Sequence, residues 1–362
     1  PIEESQICGT IGRNTNLFTA FNFMTEDWVN MSTTRRHLNR GVGIILFWVI
    51  FAGIFLAYSQ GVFKYCSDNT LKVHGSYNRG WINSKRVPEG GLDAVMLGDS
   101  ECYSAISPMQ LWNEYGVTSF NYAQSGQKIQ ETYFMLRNVF DNSQPKAVFL
   151  ETSLLYRKQN RLDMVQSSLD ELASYVIPGG GVRLHDTWKV MCGQAPQKTP
   201  EYKGFYLNNK VKASKYLDYM DKDKKRSAHI SRTVDWYSDR IIELCKENGA
   251  ELILISTPST RNWNYTRHEV TEDFAAGKGI TYIDLNTIDK SELNIDWNTD
   301  TKDGGDHLNV SGAQRVTEWF GRYIDKNYDF ADKRQDADYS EWNSIYDEYN
   351  GKITPMINKI RS

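Results

Sequence analysis

An α/β architecture, with a parallel sheet covered by helices on both faces, is what this 362-residue sequence predicts. Three observations carry that expectation. Short apolar runs alternate with helical patterns from Leu92 onward, each apolar run ends in small polar residues, and the alternation resumes after one long interruption. Strand-then-helix alternation implies right-handed crossovers, which cover both faces of a parallel sheet.

The first element is of another kind. From Gly41 to Phe63 the segment GVGIILFWVIFAGIFLAYSQGVF carries no charge. Its core, Gly41 to Ser59, rises about 1.5 Å per residue as a helix and matches the roughly 20 residues that cross a hydrocarbon layer. Arg35, Arg36 and Arg40 precede it, and only Lys64 follows closely. The positive-inside tendency then puts residues 1–40 in the cytoplasm and everything after about residue 64 outside. A cleaved signal has a shorter apolar stretch and a small-residue cleavage site, and a core helix keeps a polar face. The reading is one uncleaved transmembrane helix over 41–63. MSTTRRHLNR, starting at Met31, has the form of a natural amino terminus, so residues 1–30 read as a leading extension.

Residues 64–91 are polar and rich in turn formers, and read as a juxtamembrane connector. The main domain follows over 92–327. LDAVMLGDS is its first strand. ISPMQLWNEYG is a short helix with Ser107 as N-cap, Pro108 in the first turn and Gly116 as stop. VTSFNYAQSGQ is the second strand. In KIQETYFMLRNVFDN the apolar positions Ile129, Tyr133, Leu136 and Phe140 fall near helical spacing. KAVFLETS is the third strand. Residues from about 155 to 232 hold no clear strand and read as an inserted, partly helical lid or cap. The rhythm then resumes with the helix VDWYSDRIIELCKENGA, the strand ELILISTP, the helix YTRHEVTEDFAAGKG and the strand TYIDLN. A loop rich in Asp and Gly leads to HLNVSGAQRVTEWFGRYIDKN, whose second half is an amphipathic helix. The tail, 328–362, reads as a wrap or a helix.

Composition removes several classes of function. A net charge of −3 without any long basic run gives no reason to expect nucleic acid. The five cysteines are scattered with no CxxC pair, so neither a zinc site nor a redox motif is indicated, and a disulfide among Cys66, Cys192 and Cys245 stays open. No phosphate-binding loop, no GxGxxG after a strand and no HExxH occurs. Neither a cofactor nor a metal is expected.

Chemistry in open α/β sheets sits at the carboxyl ends of the strands. Ser100 follows the first strand, Gly126 the second, and His307 lies in the loop after the last. A serine hydroxyl becomes nucleophilic when an imidazole takes its proton, and the imidazole needs an acid to hold its tautomer. Backbone N–H groups at Ser100 and Gly126 are placed to hold an oxyanion. Asp99 shapes the turn, and Glu101 faces either the site or solvent. His37, His74, His185, His229 and His268 have no partner motif.

GDS after the first strand, the glycine of NYAQSGQ after the second and the late block DGGDHLNVSGA together resemble the SGNH/GDSL hydrolase superfamily. The resemblance covers roughly residues 92–325 and implies a three-layer SGNH-like domain. Within that superfamily the anchor, the missing Gly-x-Asn-Asp block and the HLNxxGA ending look like the extracytoplasmic proteins that act beside membrane-bound O-acyltransferases. Those include proteins of alginate acetylation and of D-alanyl-lipoteichoic acid biosynthesis. The resemblance implies Ser100 as nucleophile, His307 as general base and Gly126 as the second oxyanion-hole residue. Two departures stand out. The family's acid lies three residues before the histidine, where this chain has Gly304, so Asp303 or Asp306 must serve; Asp303 is favoured because adjacent side chains rarely hydrogen-bond well. The third-block Asn is absent, and Thr152 or Ser153 is the available substitute donor.

The expected function is an anchored, outward-facing serine acyltransferase that esterifies a cell-surface polysaccharide or teichoic acid. The resemblance implies a membrane-bound O-acyltransferase as its partner. An esterase removing O-acetyl groups, or a scaffold with an idle Ser100, are the alternatives.

Overall fold

Five parallel strands form the centre of the structure, a computed structural model that describes residues 37, 40–64, 71–72, 77–85, 91–181, 183, 197–198, 202–224 and 226–362. Contacts divide the chain into Pro1–Tyr58 and Ser59–Ser362. In chain order the strands are β1 (Leu71–Lys72), β2 (Ala94–Gly98), β3 (Ser119–Ala123), β4 (Ala147–Glu151), β5 (Gln197–Lys198), β6 (Glu251–Ser256) and β7 (Thr281–Asp284). The central sheet has the order β3-β2-β4-β6-β7, while β1 and β5 pair antiparallel as a separate ribbon.

The strands are apolar along their length because helices cover both faces, as parallel sheets require. Side chains alternate between two core layers. Val95, Leu97, Val148 and Leu150 point into one, with Trp112, Tyr122 and Ile241. Ala94, Met96, Phe149 and Ile253 point into the other, with Val316 and Phe320. The α/β expectation with helices on both faces is what the molecule has.

The helices are α1 (Arg40–Lys64), α2 (Tyr77–Ser84), α3 (Ser100–Ala105), α4 (Pro108–Tyr115), α5 (Ile129–Phe140), α6 (Arg161–Val176), α7 (Arg232–Glu247), α8 (Tyr265–Lys278), α9 (Val310–Asn327) and α10 (Ser340–Arg361). α1 is long and apolar enough to cross a membrane. Helix α4 begins and ends where its sequence says. Ser107 Oγ accepts from Gln110 N, Pro108 opens the helix and Gly116 closes it in the left-handed conformation.

Two stretches hold more structure than their polarity suggests. Within 64–91, α2 buries Trp81 completely; one large aromatic gives an otherwise polar segment a place in the core. In the tail, α10 buries Trp342, Tyr349, Ile353 and Ile357. Trp342 packs on Trp112 with ring centroids 5.3 Å apart, and Tyr349 OH accepts from Ser107 Oγ at 2.8 Å. Cys102 and Cys245 are buried free thiols, which removes Cys245 from the candidate disulfide. Cys66, Cys192, His74, His185 and the extension 1–30 lie outside the described residues.

Candidate active site

Ser100 sits at the first position of α3, directly after β2. Asp99 caps that helix, with Oδ1 accepting from Glu101 N at 3.0 Å, while its other oxygen pairs with Arg157. The turn is therefore clamped on both sides of the serine. His307 comes from a loop closed on itself: Thr301 Oγ1 donates to the His307 carbonyl at 3.0 Å and accepts from Gly305 N at 2.7 Å. Gly305 has φ +94°, and a Cβ there would overlap Thr260 Oγ1 and Ser214 Oγ. Only glycine fits so tight a turn.

These distant segments meet. His307 Nε2 lies 2.8 Å from Ser100 Oγ, and Nδ1 lies 2.6 Å from Asp303 Oδ2. The second Asp303 oxygen accepts from His307 N at 2.8 Å. Burial works to raise the Asp303 carboxyl, but the hydrogen bonds from the His307 ring and backbone outweigh it and hold the carboxyl below its ordinary value. Asp306 stands further off, 3.7 Å from Nδ1. Of the two candidate acids, Asp303 is the one in hydrogen-bond contact.

Gly98 and Ala123 are register partners on neighbouring strands, so the turns that follow them, with Ser100 and Gly126, lie side by side. Gly126 has φ +69°. Thr152 does not serve as the third donor. Its hydroxyl lies 2.5 Å from Ser256 Oγ, which lies 2.9 Å from Tyr282 OH, which donates to Asp284 Oδ2 at 3.1 Å. Since the last proton goes to Asp284, each hydroxyl in turn must donate forward, and the proton of Thr152 goes to Ser256. Ser153 is likewise engaged, by Glu151.

The same Asp284 oxygen takes His268 Nδ1 at 2.8 Å. His268 thus has a partner that sequence spacing hid, and its pKa is raised, first by that hydrogen bond.

Glu101 faces neither open site nor solvent; it is buried. Its Oε1 accepts from Asn262 Nδ2 at 2.5 Å, and Asn262 also reaches Asp306 Oδ1. Asp99, Glu101 and Glu151 bring carboxylate oxygens within 4.8 Å of one another, and so do Asp303, Asp306 and the imidazole of His307. Either group has the donors for a cation, although Arg157 already pairs with Asp99 and Asp303 already holds His307. Burial, then Asp99, pushes Glu151 up to about 8; burial, then Glu151, pushes Glu101 well up. Buried like charges cannot all ionise, so this cluster retains a proton at neutral pH.

The insertion is bonded to the loops of the site. Within 202–224 its backbone is stitched to the site: Tyr206 N donates to Tyr103 O at 3.0 Å, Lys212 N to Thr301 O at 2.9 Å, and Gly304 N to Lys212 O at 3.0 Å. Tyr103 and the half-exposed Tyr206 meet edge to face, and Lys302 Nζ lies 5.3 Å from the Tyr206 ring and 3.2 Å from Ser104 Oγ. Burial lowers the Lys302 pKa, against Asp303 and Asp306. Sequence reading missed Asn262, Arg157, Tyr103, Tyr206 and Lys302. Asn262, six residues after β6 at a strand's carboxyl end, carried a positional signal; the others carried none.

No family model matches this sequence, and no curated protein matches it. Solved structures do. The lipase/acylhydrolase from Enterococcus faecalis is 14% identical, with 65% of this chain and 96% of that one covered and a TM-score of 0.34. A GDSL-like lipase from Bacteroides thetaiotaomicron is 13% identical, with 70% and 98% covered and a TM-score of 0.35. Acylhydrolases of the GDSL type are thus among this chain's structural neighbours. At such scores the likeness assigns no chemistry, which depends on the side chains.

Proposed function

We propose that this protein is a membrane-anchored serine acyl-transfer enzyme. The observation that supports it is the continuous line from Asp303 through His307 to Ser100, with both links at 2.6–2.8 Å. Ser100 Oγ attacks the acyl carbonyl of a donor while His307 Nε2 takes the hydroxyl proton. The N–H groups of Ser100 and Gly126 hold the oxyanion. His307 returns the proton to the departing group, leaving an acyl ester on Ser100 and the Asp303 carboxylate beside an uncharged ring. An acceptor hydroxyl then gives its proton to His307 and attacks the ester, and His307 passes that proton to the departing Ser100 Oγ.

The acceptor is a hydroxyl of a cell-envelope glycopolymer, and the donor side is served by a membrane-bound O-acyltransferase. The span α1 favours this assignment, because it tethers the chain to the membrane where such a donor resides. The Tyr103–Tyr206 rim with Lys302 offers rings for a sugar face and a cation for an anionic polymer. Hydrolysis is the second reading, favoured by the openness of the site: the Asp303 side chain is 35% exposed, so water reaches the acyl ester.

The test is a fluorophosphonate probe on the full chain in detergent, followed by an activated acyl ester with acetyl-free and acetylated glycan. The expected results are one adduct on Ser100, its loss in Ser100→Ala, and acyl gain by the glycan. Acyl release alone means an esterase, and absence of any adduct leaves the domain a scaffold.

A further inference from the structure

Helix α6 is turned inside out. Its inward residues include Glu171 and Ser174, 3% and 6% exposed. Glu171 Oε1 accepts from Arg183 Nη1 at 2.8 Å, and Ser168 Oγ accepts from Tyr237 OH at 2.8 Å. Its outward residues include Leu162, Val165, Leu169, Leu172 and Val176, which are 44–83% exposed. Steps of three and four residues put all of these on one side of the helix. A stripe of large apolar side chains facing outward marks a surface that something covers.

The place where α6 ends says what covers it. Ser59 Oγ donates to the carbonyls of Pro178 at 2.9 Å and Gly181 at 3.3 Å, and a Cβ on Gly179 would overlap the Ser59 carbonyl. Ser59 lies 20 residues into the helix that starts at Arg40. At about 1.5 Å per residue that distance is about 30 Å, the thickness of a hydrocarbon layer. Exposed Arg161 and Asp163 stand at the far end of α6 and exposed Asp170 at its middle, whereas from Glu171 to Pro178 the exposed residues are Leu172, Ala173, Val176 and Pro178, none charged. Beside them Tyr175 has Lys85 Nζ 5.7 Å and the Arg137 guanidinium 4.2 Å from its ring. An amphipathic ring flanked by cations suits the level of lipid headgroups.

We infer that the apolar stripe of α6 rests on the lipid bilayer itself, with Leu172 and Val176 at the acyl boundary and Lys85 and Arg137 towards the phosphates. The domain then lies against the membrane and does not hang free on its anchor. This inference rests on reading α1 as a span.

The experiment uses the full chain in vesicles of phosphatidylethanolamine and phosphatidylglycerol. The photoreactive residue p-benzoylphenylalanine replaces, one at a time, Phe51 in α1, Leu169 and Val176 in the stripe, and the half-exposed Tyr216. All four positions are exposed, so the fold tolerates them. Lipid adducts at Phe51, Leu169 and Val176, lost at Tyr216, are expected. Adducts at Phe51 with none at the stripe overturn the inference and leave the span intact. No adduct at Phe51 overturns the span itself. Crosslinks from Leu169 or Val176 to a second copy, or within the same chain, replace the bilayer with a protein surface and also overturn it. Lipid adducts at Tyr216 equal to those at the stripe remove the specificity the inference needs.

Discussion

Asp303 and Asp306 flank the same imidazole, and the difference between 2.6 and 3.7 Å decides between them. An acid that holds the Nδ1 proton fixes the tautomer in which Nε2 faces the serine. Asp303→Asn should therefore lower kcat by on the order of 10⁴, while Asp306→Asn, which removes a charge 3.7 Å from Nδ1 but no hydrogen bond to the ring, should lower it far less. Steady-state rates with an activated ester measure both. The buried glutamates make a prediction of opposite character. Burial and then Asp99 push Glu151 up to about 8 in the folded chain, against the ordinary glutamate value of about 4.3 when unfolded. The folded state binds the extra proton between those values, so this group's contribution to stability falls as pH rises through that window. Glu151→Gln removes the titration. Urea unfolding midpoints at pH about 5 and about 8 should then differ less in the variant than in the parent.

At the scale of elements, each chemical group is delivered by a short structure that the chain closes locally. Asp99 caps α3 and so orients Ser100; Thr301 and Gly305 close the loop that carries Asp303 and His307. The two glycines of that loop share a left-handed backbone but not their surroundings. A Cβ at Gly304 has its nearest neighbour at 3.7 Å, whereas one at Gly305 overlaps two hydroxyls. Gly304→Ala should cost roughly 1–2 kcal/mol from backbone conformation alone, with the fluorophosphonate labelling rate of Ser100 largely kept. Gly305→Ala should displace the loop and slow that labelling strongly. Equal labelling rates in the two variants would show that the loop tolerates the shift.

At the scale of the molecule, the C-terminal helix is part of the core of the domain that carries Ser100 and His307. Trp342 is 2% exposed, packs on Trp112 and lies beside Lys203 Nζ, 4.4 Å from its ring. Trp112 belongs to α4, whose N-cap Ser107 is bonded to Tyr349 of α10. Trp342→Ala should destabilise the domain by about 3–5 kcal/mol, read as a shift in the denaturant midpoint. Truncation before residue 340 should cost more than that single change, because it also removes Tyr349, Ile353 and Ile357 and exposes the apolar surface they cover.

The sequence by itself determined whatever depends on near neighbours along the chain. The alternation of strands and helices, the caps of α4, the apolar length of α1 and the placing of Ser100, Gly126 and His307 at strand ends all follow from local pattern and local geometry. Contacts across hundreds of residues were decided only by the tertiary structure. Ser100 and His307 meet because two loops converge at the carboxyl ends of the strands; Thr152 gives its proton to a relay ending at Asp284; Glu101 is buried among other carboxylates; α6 turns its polar side inward. In each case the partner lies on a different element, and the free energy that fixes it comes from burial and hydrogen bonding in three dimensions, which no spacing along one segment encodes.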